Sequence, residues 1–231
     1  MTKRTFSAPL TSRQFILGLT YLAAEFLVVP FLLRYLLDTF FPGSSNTTAN
    51  FLYYVVNFFA VLLLFGSFLK KNFRILCNHV PRFLGYALLG LVLYWVAGLI
   101  MTELTYALMP YFTNVNDASI ATLTKDGYLF MAIGTVLLVP TAEECLFRGL
   151  LFRGIWDKSR FLAYAVSALC FCCVHVAGYI GSYDLPLLLM CFVQYLPAGL
   201  ILAWCYESSD TIFTPILIHS VINAIGICTM R

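Results

Sequence analysis

The chain has 231 residues, of which 61% are hydrophobic and 11% are charged, and its formal net charge is +3. Soluble domains are about 45–50% apolar and about 25% charged, so this composition excludes a soluble globular protein. The mean hydropathy of +0.87 and the continuous apolar runs predict a helical membrane protein, because a membrane β-barrel would show alternating hydrophobicity. The chain has no soluble basic surface, so its net positive charge does not indicate nucleic-acid binding, and we expect no nucleic-acid partner.

Seven apolar stretches predict seven transmembrane helices, each with the roughly 20 residues that a bilayer requires. We predict them at residues 14–37, 51–69, 83–102, 128–151, 161–180, 186–205 and 211–229. We therefore expect an all-α fold, a polytopic membrane bundle of about seven helices. The first span is too long for a signal peptide and lacks a small-x-small cleavage site, so we expect it to be retained.

Lysine and arginine residues flank the predicted spans unevenly. One side carries Lys3, Arg4, Arg13, Lys70, Lys71, Arg74, Arg82, Arg153, Lys158 and Arg160, and the other carries Lys125 and Arg231. Because cytoplasmic loops are enriched in Lys and Arg, we predict a cytoplasmic N-terminus. An odd number of spans then places the C-terminus outside.

The first three predicted spans contain few polar groups. Glu25 is alone in its span, and Arg34 and Asp38 have the i,i+4 spacing of a helical ion pair. We interpret these residues as structural. We accordingly treat residues 1–127 as accessory membrane helices and expect the functional core in residues 128–231.

The fourth span contains three charged residues within an apolar stretch. Glu143 and Glu144 are adjacent, and Arg148 follows Glu144 by four residues. An ionisable side chain at bilayer depth costs roughly 2.5–3.5 kcal/mol, so three together require a function. Two adjacent carboxylates repel each other, which should poise at least one of them to exchange a proton near neutral pH, as a proton-transfer catalyst requires. Pro140 removes a hydrogen bond to the Val136 carbonyl, so we expect a kink or break before the glutamates.

Two later spans contain polar or aromatic pairs at one-turn spacing. Phe171 and His175 lie in the fifth span, and His219 and Asn223 lie in the seventh. Residues i and i+4 share a helix face, so each pair points in one direction. Each residue alone is compatible with ordinary helix packing. Together they predict one water-filled cavity between three spans, with depths compatible with an opening to the cytoplasm.

These residues resemble the signatures of the CAAX-protease and bacteriocin-processing family (CPBP, or Abi), the type II CAAX prenyl endopeptidase-like intramembrane endopeptidases. Residues 143–149 resemble its E-E-x-x-x-R motif, residues 171–175 its F-x-x-x-H motif and residues 219–223 its H-x-x-x-N motif. The motifs occur in the family's order, and the resemblance covers about residues 128–229. Spans one to three show no specific match.

The resemblance implies a helix bundle with a conical cavity, reached from the cytoplasm and laterally from lipid, that hydrolyses a peptide bond near the membrane. It implies that Glu143 is the general base and that His175 helps to orient and activate a water molecule. It also implies that His219 and Asn223 stabilise the tetrahedral oxyanion, and such donors are often the largest catalytic contribution.

The same resemblance leaves the role of a metal open. Glu143, His175 and His219 would provide a Zn²⁺ site with an open position, but the H-E-x-x-H helix of zinc proteases is absent. Family members are described both as metalloproteases and as glutamate proteases, and we favour a glutamate-activated water. Glu144 and Arg148 would be supporting residues, with Arg148 keeping Glu144 ionised and Glu143 taking up the proton.

We expect the substrate to be a peptide or a lipidated protein within the lipid bilayer, and the chain carries no signal for an oligomeric state. A prenylated C-a-a-X substrate requires a eukaryotic partner, whereas this compact chain with short loops indicates a multi-pass protein of a bacterial plasma membrane. Bacterial relatives process peptides, confer immunity to bacteriocins or take part in peptide signalling.

Two non-protease functions remain alternatives. The first is a non-catalytic bacteriocin-immunity or partner-binding protein that uses the same cavity. The second is a proton-coupled transporter, for which inverted repeats would be expected and are not visible. Cys145 offers a nucleophile, but it occupies an unspecified position of the family motif. We interpret the other cysteines as small apolar residues of the spans, apart from Cys77 in a loop.

Overall fold

The computed structural model describes residues 6–230, so Lys3, Arg4 and Arg231 lie outside the described residues. The described chain is helical, with no β-strand in this range. Its helices are α1 (Ser12–Leu27), α2 (Val29–Phe40), α3 (Asn46–Asn78), α4 (Val80–Leu108), α5 (Val115–Asp126), α6 (Tyr128–Trp156), α7 (Arg160–Ala177), α8 (Leu185–Ser209) and α9 (Phe213–Thr229).

Each of the seven predicted stretches falls on a helix or a pair of helices, and six of them are candidate membrane spans. Helices α3, α4, α6, α7 and α8 are each long and apolar enough to cross a membrane, and α1 with α2 forms a sixth candidate that bends by 51°. Helix α9 is apolar and has 17 residues, which at 1.5 Å per residue covers about 26 Å. The all-α membrane fold is therefore confirmed.

The bend between α1 and α2 has a local cause in the sequence. Pro30 lies at the start of α2 and has no N–H to donate, and the preceding segment leaves helical geometry at Val28, where φ is −127°. A proline disfavours a continuous helix through the residues before it. The expected ion pair of Arg34 and Asp38 forms on α2 with a nitrogen–oxygen distance of 2.9 Å.

The two ends of the bundle differ in charge. At one end α3 is joined to α4 and α6 to α7, and we call it the basic end because Lys70, Lys71, Arg74, Arg82 and Lys158 lie there. The opposite end carries helix α5 and the connections before α3 and between α7 and α8, and we call it the α5 end.

The basic end is filled by packed aromatic side chains. The ring of Phe6 lies 4.7 Å from that of Tyr206 and 5.4 Å from that of Trp156, and all three residues are buried. Ser7 donates hydrogen bonds from its backbone and its hydroxyl to Asp210, which holds the N-terminal segment against the end of α8. Aromatic residues each bury roughly 150–250 Å², so this end is closed by a continuous apolar core.

The first and second parts of the chain share that core. Val61, Phe65 and Phe68 of α3 pack in one cluster with Leu146 and Leu150 of α6. The division at residue 127 stays a prediction. The packing nevertheless means that the helices before it form one body with the helices after it.

Helix α6 is continuous but not regular. Its segments Gly134–Leu138 and Cys145–Phe152 are π-helical, and a short α-helical segment, Val139–Glu144, lies between them. The predicted break at Pro140 is therefore wrong: the helix widens by one residue before the proline and continues to Trp156. Such π-helical turns are rare and occur frequently at functional sites.

Candidate active site

A cavity of about 560 Å³ lies between the helices. Glu143 of α6, His175 of α7, and His219 and Asn223 of α9 all line it. The three helices of the predicted site therefore converge on one cavity, as expected from the cost of isolated polar groups in lipid. Glu144 and Arg148 lie behind the cavity wall, where both side chains are fully buried. The chemical roles of these six residues stay predictions.

The cavity extends from the middle of the bundle to the α5 end. Its wall on α3 runs from Asn50 to Asn57, near the start of that helix, and His175 lies close to the end of α7. Asp117 of α5 and Gly178 also line it, and both are exposed at the α5 end. The predicted opening toward the Lys- and Arg-rich end is therefore wrong. His175 lies near the end of α7 that faces the α5 end, so depths counted along separate helices did not establish to which end the cavity opens.

Glu144 is held by two partners. Its Oε1 accepts hydrogen bonds from Arg148 Nη1 and from His219 Nδ1, both at 2.9 Å. Arg148 also donates from Nη2 to the carbonyl oxygen of Gly199 at 3.0 Å, and its guanidinium lies 4.4 Å from the centre of the Phe171 ring. Breaking such a buried ion pair would leave an uncompensated charge and is therefore costly. This cost keeps the Glu144 carboxylate in place. The sequence predicted the Arg148 contact but not the one to His219.

The two histidines present the same ring nitrogen to the cavity. His175 Nδ1 lies 2.7 Å from the carbonyl oxygen of Phe171, and because a carbonyl only accepts, Nδ1 carries the hydrogen. His219 Nδ1 likewise donates to the carboxylate of Glu144. Nδ1 is thus committed in both rings, and Nε2 remains for chemistry in the cavity. The ring of His175 packs against that of Tyr195, with their centres 4.1 Å apart.

Glu143 and Glu144 are neighbours with different surroundings. Successive residues of a helix point about 100° apart, so Glu144 reaches Arg148 and His219 while Glu143 faces the cavity. Oε2 of Glu143 is buried and has no hydrogen-bond partner among the described residues. A buried carboxylate oxygen without a partner is costly, which makes it a strong acceptor for a water molecule or a substrate group.

Asn223 compensates for Pro140. In the widened turn the N–H of Val139 bonds to the carbonyl of Gly134, five residues earlier. The next residue is Pro140, which has no N–H for the carbonyl of Thr135. Asn223 Nδ2 donates to that carbonyl at 2.8 Å. The sequence predicted that Pro140 would leave the Val136 carbonyl without its backbone donor. Because of the π-helical turn, the carbonyl that lacks this donor is that of Thr135 instead. The predicted oxyanion role of Asn223 must therefore use its second amide hydrogen.

The residues do not fit the zinc alternative. Within residues 6–230, no group of three His, Cys, Asp or Glu side chains lies close enough together to hold a metal ion. Glu143, His175 and His219 line one cavity but are not gathered around one point. The eight cysteines are free and form no group of this kind either.

Sequence reasoning missed several cavity residues. Glu25 of α1, interpreted above as structural, lines the cavity together with Tyr53 of α3 and Asp117 of α5. An ionisable residue within a span is a functional candidate by default, so Glu25 carried a usable signal. Asp117 carried none, because it lies in a polar connection between spans.

Helix α5 is fastened over the cavity by polar contacts with α8. The hydroxyl of Tyr195 donates to Asp117 at 3.1 Å and accepts from the Asn116 amide at 3.1 Å. Asn114 caps the start of α5 and donates to Gln194 at 2.9 Å. Because Asn116 and Asp117 also line the cavity, α5 forms part of its wall at the open end.

Comparison with known proteins confirms the family resemblance. Residues 125–225 match the family model described as type II CAAX prenyl endopeptidase Rce1-like, and this range contains all three motifs. The UPF0177 protein YxdF of Lactococcus lactis subsp. lactis is 24% identical over 144 residues, which cover 58% of this chain and 75% of that protein. No solved structure matches the chain.

Proposed function

We propose that the protein is an intramembrane endopeptidase, because residues 125–225 match the Rce1-like family of type II CAAX prenyl endopeptidases. Its substrate is a peptide or a lipidated protein at the membrane, and the attacking group is a water molecule activated by Glu143. The observation that carries the proposal is the unpaired carboxylate oxygen of Glu143 in a cavity that is also lined by His175, whose Nδ1 is bonded to the Phe171 carbonyl.

In this mechanism Glu143 takes a proton from the water molecule while His175 Nε2 orients it. The water oxygen adds to the carbonyl carbon of the scissile peptide, and the C=O becomes an oxyanion. The C–N bond then breaks, and the proton held by Glu143 passes to the leaving nitrogen. General acid–base catalysis of this kind contributes about 10²–10⁴-fold to the rate.

His219 and Asn223 support the oxyanion. His219 is held through Nδ1 by the Glu144 carboxylate, and its Nε2, when protonated, donates to the oxyanion. Asn223 donates the amide hydrogen that is not bonded to Thr135. Glu144 and Arg148 act through His219 and are therefore positioning residues, which is consistent with their complete burial behind the wall.

The test uses the purified full chain in lipid nanodiscs and a membrane peptide cleaved by the wild type, with products identified by mass spectrometry. We expect Glu143→Gln to reduce turnover by about 10²-fold or more without loss of folded protein. The matched control is Glu103→Gln, because Glu103 is exposed on α4 and does not line the cavity. Unchanged turnover in Glu143→Gln would refute the mechanism, and peptide binding without any turnover would favour the partner-binding alternative.

We also propose that substrate enters from the non-cytoplasmic face. The basic end carries the Lys and Arg clusters that face the cytoplasm in membrane proteins, and the cavity lies at the opposite end. Two native cysteines test this proposal, since exposed Cys77 lies at the basic end and exposed Cys228 at the α5 end. In intact cells, a membrane-impermeant maleimide should label Cys228, and Cys77 only after permeabilisation. The reverse pattern, read by peptide mapping, would place the cavity on the cytoplasmic face.

A further inference from the structure

The cavity is acidic. Glu25, Asp117 and Glu143 line it, and no Lys or Arg is among the described residues of its wall. The nearest guanidinium of the site, that of Arg148, is committed to Glu144 behind the wall. The proposed hydrolysis requires Glu143 and the two histidines but assigns nothing to Glu25, which comes from α1, outside the part of the chain that matches the family.

Glu25 is buried and incompletely bonded. Only 6% of its surface is exposed, and its Oε2 has no hydrogen-bond partner among the described residues. Its Oε1 accepts one long hydrogen bond of 3.4 Å from the hydroxyl of Tyr53. The nearby hydroxyl of Tyr21 is taken by Asn57. A buried carboxylate is costly unless it is neutralised or paired with a cation, and the cavity wall supplies no cation.

A cationic group entering the cavity would meet unpaired oxygens from two directions. Oε2 of Glu25 on α1 and Oε2 of Glu143 on α6 are both buried and without partners, and both residues line the same space. At the open end, Asp117 adds a third acidic side chain to the wall. Clefts lined by charge of one sign concentrate ligands of the opposite sign. The volume of about 560 Å³ lies in the usual range of ligand sites.

We propose that Glu25 is a specificity-determining residue that binds a positively charged group of the substrate, a Lys or Arg side chain or a free N-terminal amine, inside the catalytic cavity. This inference rests on the proposed endopeptidase function, because it assigns the substrate class of the same site. The competing interpretation is a protonated, purely structural Glu25, and glutamine mimics that form closely in shape and hydrogen bonding.

The experiment measures peptide binding by the purified full chain in nanodiscs made of a zwitterionic lipid. The probes are fluorescent, apolar 12-residue peptides with a single central Lys, Gln or Glu. Each is prepared with an acetylated N-terminus, and a further Gln peptide has a free amine. We expect the wild type to bind the Lys peptide, the free-amine peptide or both about tenfold more tightly than the acetylated Gln peptide, and the Glu peptide most weakly.

Glu25→Gln should reduce this preference to within about twofold. The remaining preference would come from Glu143 and Asp117, which act at longer range. The exposed control Glu103→Gln should retain the full preference. An equal affinity of the wild type for Lys, free-amine and Gln peptides would overturn the inference without the need for any variant. An unchanged preference in folded Glu25→Gln would also overturn it.

Cleavage of the same peptides, followed by mass spectrometry, separates this inference from the proposed function. Cleavage without charge preference would leave the endopeptidase standing and overturn the role of Glu25. A charge preference that Glu25→Gln removes, without cleavage of any peptide, would support Glu25 as the cation site and count against hydrolysis.

Discussion

The ion pair of Glu144 and Arg148 provides the sharpest test of the arrangement behind the cavity. Replacing Arg148 by Met keeps much of the side-chain volume but removes the charge, so the carboxylate of Glu144 loses the guanidinium that lies 2.9 Å away. Both side chains have 0% exposure, so water cannot replace the lost partner. Removing one member of a buried pair costs about 3–5 kcal/mol, and the lost contact with Phe171 adds about 0.5–2 kcal/mol.

The chain contains a matched control for this experiment. Arg34 and Asp38 have the same i,i+4 spacing and the same distance of 2.9 Å, but their side chains are 50% and 56% exposed. Exposed ion pairs contribute about 0–1 kcal/mol, so Arg34→Met should be almost neutral. Distance and spacing are equal in the two pairs, so the comparison sets a buried arginine, with its contacts to Gly199 and Phe171, against an exposed one.

The assay is reversible unfolding of the purified protein in mixed micelles, followed by tryptophan fluorescence. The double variant Glu144→Gln/Arg148→Met should recover stability relative to Arg148→Met, because no unpaired buried charge remains, with a coupling of about 0.5–3 kcal/mol. The double variant should remain impaired in turnover, since His219 has lost its anionic partner. A loss below about 1 kcal/mol for Arg148→Met, equal to that of Arg34→Met, would refute the buried, desolvated pair.

Three further predictions concern the packing around the cavity. Asn223→Ala should cost about 1–3 kcal/mol of unfolding free energy in the same assay, because the Thr135 carbonyl loses its donor beside Pro140; an unaffected stability would contradict this account of α6. Gly199→Ala should cost about 1–3 kcal/mol, since its new Cβ would lie 3.0 Å from the backbone of Ala168 on α7, whereas Gly98→Ala, with open space around it, should not. Tyr195→Phe should accelerate amide hydrogen exchange in residues 115–126, because α5 loses its bonds to that hydroxyl, and unchanged exchange would show that α5 is held otherwise.

The sequence by itself predicted the apolar helices and four of the residues that line the cavity. Continuous apolar runs predict membrane helices because the bilayer leaves no other way to satisfy their backbone groups. The i,i+4 spacing of His219 and Asn223 predicts a shared face, and the cost of isolated polar groups in lipid predicts that such faces meet. Glu143, His175, His219 and Asn223 do line one cavity. The pairing of Glu144 with Arg148 was likewise readable from their spacing on one helix.

The tertiary structure alone decided how far the helices are shifted against each other along the membrane normal. Helical periodicity specifies the face on which a residue lies, but the packing of neighbouring helices specifies its depth relative to residues on those helices. For this reason the sequence placed the cavity toward the basic end, whereas the packing brings His175 and Asp117 together at the α5 end. The same packing turns Glu25 from an isolated residue of α1 into part of the cavity wall.

Local backbone geometry also depended on the tertiary structure. Pro140 predicted a missing hydrogen bond. The π-helical turn determines that the carbonyl without a backbone donor is that of Thr135. Asn223, which lies 83 positions after Pro140, supplies the replacement donor. A side chain on another helix stabilises this turn, so the sequence of α6 alone could not predict it. The contact of His219 with Glu144 is decided in the same way, since it joins α9 to α6 across the core.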